Sequence, residues 1–156
     1  MSQHLFALAG LVLLCAAAPA LAAGDVAAKI IAMERAALEA SDRGDVEPGL
    51  KLTAPEIIYL DPWQEKPLVG IENLRAYYAT VFKKEDKPTL AGEMLNARVQ
   101  VMGDIAVLTY NYIVRKIDGH AVVRRWNAVE VYNKRDGEWR IVNTHWSFTL
   151  PKLATE

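Results

Sequence analysis

The hydrophobic pattern divides the chain into a helical first half and a stranded second half. From Val26 to Leu38 the apolar residues, among them Val26, Ile30, Met33 and Ala37, recur at helical spacing and fill one broad arc. Asp25 stands before this run as an N-cap, and Gly44 after it as a stop. "VEPGLKLTA" fits a short second helical turn, and "EIIYLDP" a strand of about five residues. "WQEKPLV" is a loop with room for a brief strand before Gly70. "IENLRAYYATVF" predicts a helix with Leu74, Tyr77, Tyr78 and Val81 on one side, and the charged "KKEDKP" a loop.

Beyond that loop the period changes. "LAGEMLNARVQVM" alternates at Leu95, Ala97, Val99 and Val101 before a Gly103-Asp104 turn. "IAVLTYNYIVRKI", "HAVVRRWNAVEVYN" and "EWRIVNTHWSFTL" follow as strands, separated by Asp118-Gly119 and by "KRDG". Helices first and antiparallel strands after them is an α+β order. The strand from Ile105 to Ile117 is apolar on both parities, Leu108, Tyr110 and Tyr112 against Val107, Thr109 and Ile113. The helices can cover one face, and a partner subunit is the simplest cover for the other.

One residue breaks the helical arc. Glu34 falls in its middle, where a carboxylate must face a polar cavity, find a partner, take up a proton, or reach past its neighbours to water.

Composition narrows the classes. A chain of 156 residues is one ordinary domain, and 52% hydrophobic residues can supply its core. The opening "MSQHLFALAGLVLLCAAAPALAAG" has no Asp, Glu, Lys or Arg, and its apolar run from Leu5 to Ala18 is too short for a bilayer. With Ala20-Leu21-Ala22 following, it reads as a secretory signal peptide over residues 1–22, leaving a domain at 23–156. The expectation is a periplasmic or secreted protein with no stable membrane anchor after cleavage. Cys15, the single cysteine, falls in that segment, so the mature chain has no disulfide, thiolate nucleophile or Cys-type zinc site. A net charge of −1 advertises no nucleic-acid surface. His120 and His145 lack metal-ligand spacing, and no glycine-rich phosphate loop occurs, so no metal or cofactor is expected.

The stretches "IIAMERAALEASDRGD" (30–45), "LNARVQVMGD" (95–104) and "VYNKRDGEWRIVNTHWS" (131–147) resemble the association domain of calcium/calmodulin-dependent protein kinase II. That domain is one branch of the nuclear transport factor 2 superfamily, alongside SnoaL-like proteins and ketosteroid isomerases. The resemblance covers nearly all of the mature chain, without any kinase signature. It implies a cone-shaped fold, with N-terminal helices packed on a strongly bent antiparallel sheet that encloses a pocket. It also implies homodimers or larger rings formed through the sheet face. It does not imply one function, because this fold hosts isomerases, dehydratases, binding modules and assembly domains.

The same resemblance supplies candidate residues. "YLDPWQEKPLVGIENLRAYY" is similar to the region where ketosteroid isomerases keep a catalytic base at the Asp-Pro ending the first strand, which places Asp61 there. The isomerases' helix tyrosine corresponds to Glu34, and their later acid falls near Asn127 to Glu130. Glu34 and Asp61 are therefore the candidate catalytic pair, one proton shared between them. Arginines of the kinase association domain's pocket correspond to Tyr112, Glu130 and Trp146, implying an aromatic, acidic cavity for a neutral or cationic ligand. Trp126 shares strand parity with Glu130, Tyr59 and Trp63 flank Asp61, and His145 completes the candidate ligand-binding set with Asn127. Three readings follow. The domain binds a small, largely apolar molecule, it is a cofactor-independent isomerase or lyase with Asp61 as base, or it is an oligomerising interaction domain.

Overall fold

The computed structural model describes residues 23–82, 89–118 and 121–149. The expected signal peptide (1–22), the "KKEDKP" loop and His120 lie outside the described residues. Helix α1 spans Ala23–Ser41, α2 Glu47–Leu52 and α3 Ile71–Val81. The strands are β1 (Thr53–Leu60), β2 (Leu68–Val69), β3 (Leu90–Met102), β4 (Ile105–Lys116), β5 (Val122–Arg135) and β6 (Glu138–Phe148). Helix α1 starts two residues earlier than its expected cap. Asp25 sits inside the first turn, where a carboxylate faces the positive end of the helix dipole.

The strands form one six-stranded sheet in the order β2-β1-β6-β5-β4-β3. Pairings from β3 through β6 are antiparallel, as hairpin-connected neighbours must be. Strand β1 joins β6 in parallel, so the sheet is mixed. No hairpin links these two strands. The chain leaves β1 through α3 and returns only after the four-strand meander, so turn chemistry does not set their relative direction.

The helices pack on one face of the sheet, α1 against β3 and α3 against β1. On β4 the buried residues are Ala106, Leu108, Tyr110 and Tyr112, and on β5 Trp126, Ala128, Glu130 and Tyr132, each at period two. Ile30, Leu50, Ile57, Leu74, Leu108 and Tyr132 are the largest fully buried side chains. Burying one such aliphatic side chain contributes roughly 1.5–3 kcal/mol, so this shared core can hold the fold without a disulfide.

Strand β3 departs from the simple alternation expected of it. Its register against β4 shifts between Leu95 and Arg98, with Asn96 at φ 54°. This bulge resets the parity: Met94 pairs with inward Tyr112 before it, Val99 and Val101 with inward Leu108 and Ala106 after it. Leu95, expected on the face of Val99, lies across from outward Asn111 instead.

Candidate functional site

Between the helices and the inner face of the sheet lies a cavity of about 760 Å³. Its aromatic walls include Trp63, Trp126 and Trp146, and Tyr59, Tyr78 and Tyr112. Trp146 is the hub of the sheet side, edge-on to Tyr110 at 5.5 Å, Trp126 at 5.7 Å and Tyr112 at 6.1 Å. Trp63 packs edge-on to Trp126 at 4.9 Å, and the Arg124 guanidinium lies 4.9 Å from the Trp63 ring centre. Glu34, Asp61 and Glu130 also line the cavity and are only 3%, 4% and 3% exposed.

Asp61 follows the last residue of β1. Its Oδ1 accepts the Trp63 backbone N–H at 2.8 Å, which turns the chain and places the Trp63 ring. Its Oδ2 accepts hydroxyls from Tyr59 at 3.0 Å and Tyr77 at 2.7 Å. Three of roughly four acceptor positions are thus filled by described residues. Burial, reinforced by the bond to Asp61, pushes the Tyr77 phenol up to about 12.

Glu34 makes a second acidic centre. Tyr110 donates to its Oε1 at 3.0 Å, and the Tyr132 hydroxyl lies 3.0 Å from its Oε2 and 3.1 Å from Oε2 of Glu130. The Tyr132 hydroxyl thus bridges the two carboxyls with a single proton of its own: it donates to one, and the other contact is a hydrogen bond only if that carboxyl carries a proton and donates it. Burial raises the titration of both groups, and the neighbouring Glu34 charge raises Glu130 further.

A third carboxylate organises the rim. Asp42, just past α1, accepts the Tyr112 hydroxyl and the Gly92 backbone N–H, each at 2.7 Å. A Cβ at position 92 would stand 1.8 Å from the Tyr112 hydroxyl oxygen, so any larger residue there forces the phenol to move.

Of the sequence-derived candidates, Glu34, Asp61, Tyr59, Trp63, Tyr112, Trp126, Glu130 and Trp146 all line the cavity. Asn127 and His145 do not. Both are exposed on the outer face, where Asn127 accepts amide N–H from Asn111 at 2.8 Å and His145 pairs across from Val129. Each is the immediate strand neighbour of an inward tryptophan, and adjacent residues on a strand point to opposite faces. Glu34 and Asp61 line the same cavity but share no hydrogen-bond partner: Asp61 is held by Tyr59, Tyr77 and the Trp63 N–H, whereas Glu34 shares the Tyr132 hydroxyl with Glu130. Sequence reasoning passed over Tyr110 and Tyr132, although period-two spacing from Tyr112 and Glu130 puts them on the same face. It also passed over Tyr77 as a partner of Asp61, Asp42 at the rim and Gly92, none of which carries a local signal.

Helices over one face of a mixed sheet, with a cavity between them, are the architecture of nuclear transport factor 2-like proteins. An NTF2-like protein from Pseudomonas putida KT2440 superposes with a TM-score of 0.73 at 17% identity, over 86% of this chain and 94% of that one. Residues 26–149 match the calcium/calmodulin dependent protein kinase II association domain, and the chain belongs to that family. The association domain of C. elegans CaMKII is similar at 23% identity and a TM-score of 0.67, covering 80% of this chain and 96% of its own. A provisionally assigned ketosteroid isomerase from Parabacteroides distasonis ATCC 8503 is 34% identical over 81% of this chain and 89% of its own, with a TM-score of 0.67.

Proposed function

We propose that the protein binds a small, largely apolar molecule in the cavity between its helices and its sheet. The observation that carries this reading is the cavity itself. Its volume of about 760 Å³ falls within the range of small-molecule sites, and aromatic walls surround a few convergent polar groups. Apolar burial supplies the affinity, and the carboxylates and phenols fix orientation. The test is a fragment screen by thermal unfolding. A ligand at a hundredfold excess over its dissociation constant adds about 2.7 kcal/mol, a rise of several degrees in Tm. A rise that survives Asp61→Asn supports binding alone, and the absence of any rise across aromatic and aliphatic fragments counts against the reading.

A second reading makes Asp61 a general base for a cofactor-independent isomerase or lyase. The likeness to the Parabacteroides distasonis protein favours it, together with the place of this buried carboxylate on the cavity wall. Turnover that disappears in Asp61→Asn, with the fold intact, assigns this reading. Membership of an association-domain family supports self-association, with the outer sheet face as the interface. Residues 1–22 direct export to the periplasm or the medium in this proposal, and N-terminal sequencing of the mature protein tests that step.

A further inference from the structure

Building on the reading of the cavity as a ligand site, we propose that its ligand is an organic cation, an ammonium group carried on an apolar body. The charge inside the cavity is one-sided. Glu34, Asp61 and Glu130 are all buried, and their hydrogen-bond donors are tyrosine hydroxyls and one backbone N–H, which carry no charge. Among the described residues the ion pairs are Arg75–Glu47, Arg135–Glu56 and Arg140–Glu138, all at the surface. The described lining includes two cations, Arg43 and Arg124, and both are exposed. No described arginine, lysine or histidine therefore neutralises the buried carboxylates.

The walls point the same way. The Arg124 guanidinium lies 4.9 Å from the ring centre of Trp63 and 5.6 Å from that of Trp126, so the aromatic rim already holds a cation of the protein's own. A cationic ligand gains both attraction to aromatic faces and attraction to carboxylates in a site of low polarity. An anion of the same size meets like charge, and a neutral isostere gains apolar burial alone.

The ammonium seat is the space between Asp61 and the Glu34–Glu130 pair. Tyr78 of α3 lines the same cavity, edge-on to Tyr59 at 5.8 Å, and its phenol is raised by burial and, beyond that, by the charges of Glu130, Glu34 and Asp61. The titratable groups facing the pair are Tyr110 from β4, Tyr132 from β5 and Tyr78 from α3. A cation in this seat replaces the proton held by the pair as the neutralising charge, so binding releases a proton.

The experiment is calorimetric titration of the mature protein with phenethylamine, phenethyl alcohol and phenylacetate near neutral pH, in two buffers of different ionisation enthalpy. The amine is expected to bind at least tenfold more tightly than the alcohol, with phenylacetate weakest, and to release protons to the buffer. Glu130→Gln should abolish proton release and shrink the amine preference severalfold, with near-ultraviolet circular dichroism unchanged. Glu34→Gln is the second variant should the first not fold. Equal or tighter binding of the alcohol or of phenylacetate overturns the cation assignment and leaves the ligand-site reading standing. Failure of all three to bind removes both, and an amine preference that persists in the Gln variants and in Asp61→Asn overturns the proposed seat.

Discussion

Glu34 of α1 and Glu130 of β5 meet at the single hydroxyl of Tyr132, which lies 3.0 Å from Oε2 of the first and 3.1 Å from Oε2 of the second. This contact makes stability depend on pH in a definite direction. Both groups titrate above their ordinary value, so the folded chain keeps a proton that the unfolded chain gives up. The stabilising balance is complete below the ordinary carboxylate range and declines as pH rises from about 4.5 toward the raised values. Glu130→Gln has nothing to ionise and keeps a donor for the Tyr132 hydroxyl oxygen. It is expected to match the parent near pH 4.5 and to exceed it increasingly as pH rises toward 7, measured by urea unfolding across that range.

The tyrosines report on the same interior. All six are raised, with burial as the leading cause in each case, and Tyr77 at about 12 is the easiest to ionise. The folded protein is therefore expected to show little tyrosinate absorbance at pH 10 to about 11, where free phenols are half or more ionised. A phenol raised in the folded state stabilises fully below the unfolded value of 10.0 and loses that contribution as pH rises beyond it. Tyrosinate should consequently appear in step with alkaline unfolding, and a smooth titration centred near pH 10 on a folded chain would contradict this packing.

Gly92 and Tyr112 form a size-matched pair. Adding a methyl group at position 92 drives Cβ into the phenol and pulls the hydroxyl off Asp42. Gly92→Ala is expected to cost about 1–3 kcal/mol. The same substitution in a Tyr112→Leu background should cost distinctly less, because the obstructing ring is gone. Equal costs in the two backgrounds, read from urea midpoints, would separate the two residues energetically.

The outer face offers a direct test of self-association. Val129 is exposed there, beside the side-chain ladder in which Asn96 donates to Asn111, and Asn111 to Asn127. Val129→Lys should leave the monomer's stability within about 0.5 kcal/mol, since surface changes away from special features rarely do more. If this face joins copies of the chain, the variant should sediment as a monomer at concentrations where the parent is larger.

Much of this arrangement was written in the chain as periodicity. The apolar arc of α1 put Glu34 inside, and alternation put Trp126, Glu130 and Tyr112 on common strand faces. Applied strictly, the same alternation also excludes Asn127 and His145 from the face of Trp126 and Trp146, because a strand reverses its side chains at every residue. The turn residues Gly103, Asp104 and "KRDG" fixed the hairpins and hence the antiparallel half of the sheet.

Other features depend on contacts between residues far apart in the chain, and no local pattern encodes those. The bulge at Asn96 reset the parity of β3, and the meander's return placed β6 parallel to β1. Packing of α1 across the sheet let Glu34 share the Tyr132 hydroxyl with Glu130, and left Asp61 to Tyr59 and Tyr77. Sequence thus determined which carboxylates are drawn inside, since burial follows the period of helix and strand. Only the tertiary structure decided which of them share a hydrogen-bond partner, because that depends on distances set when helix and sheet close on each other.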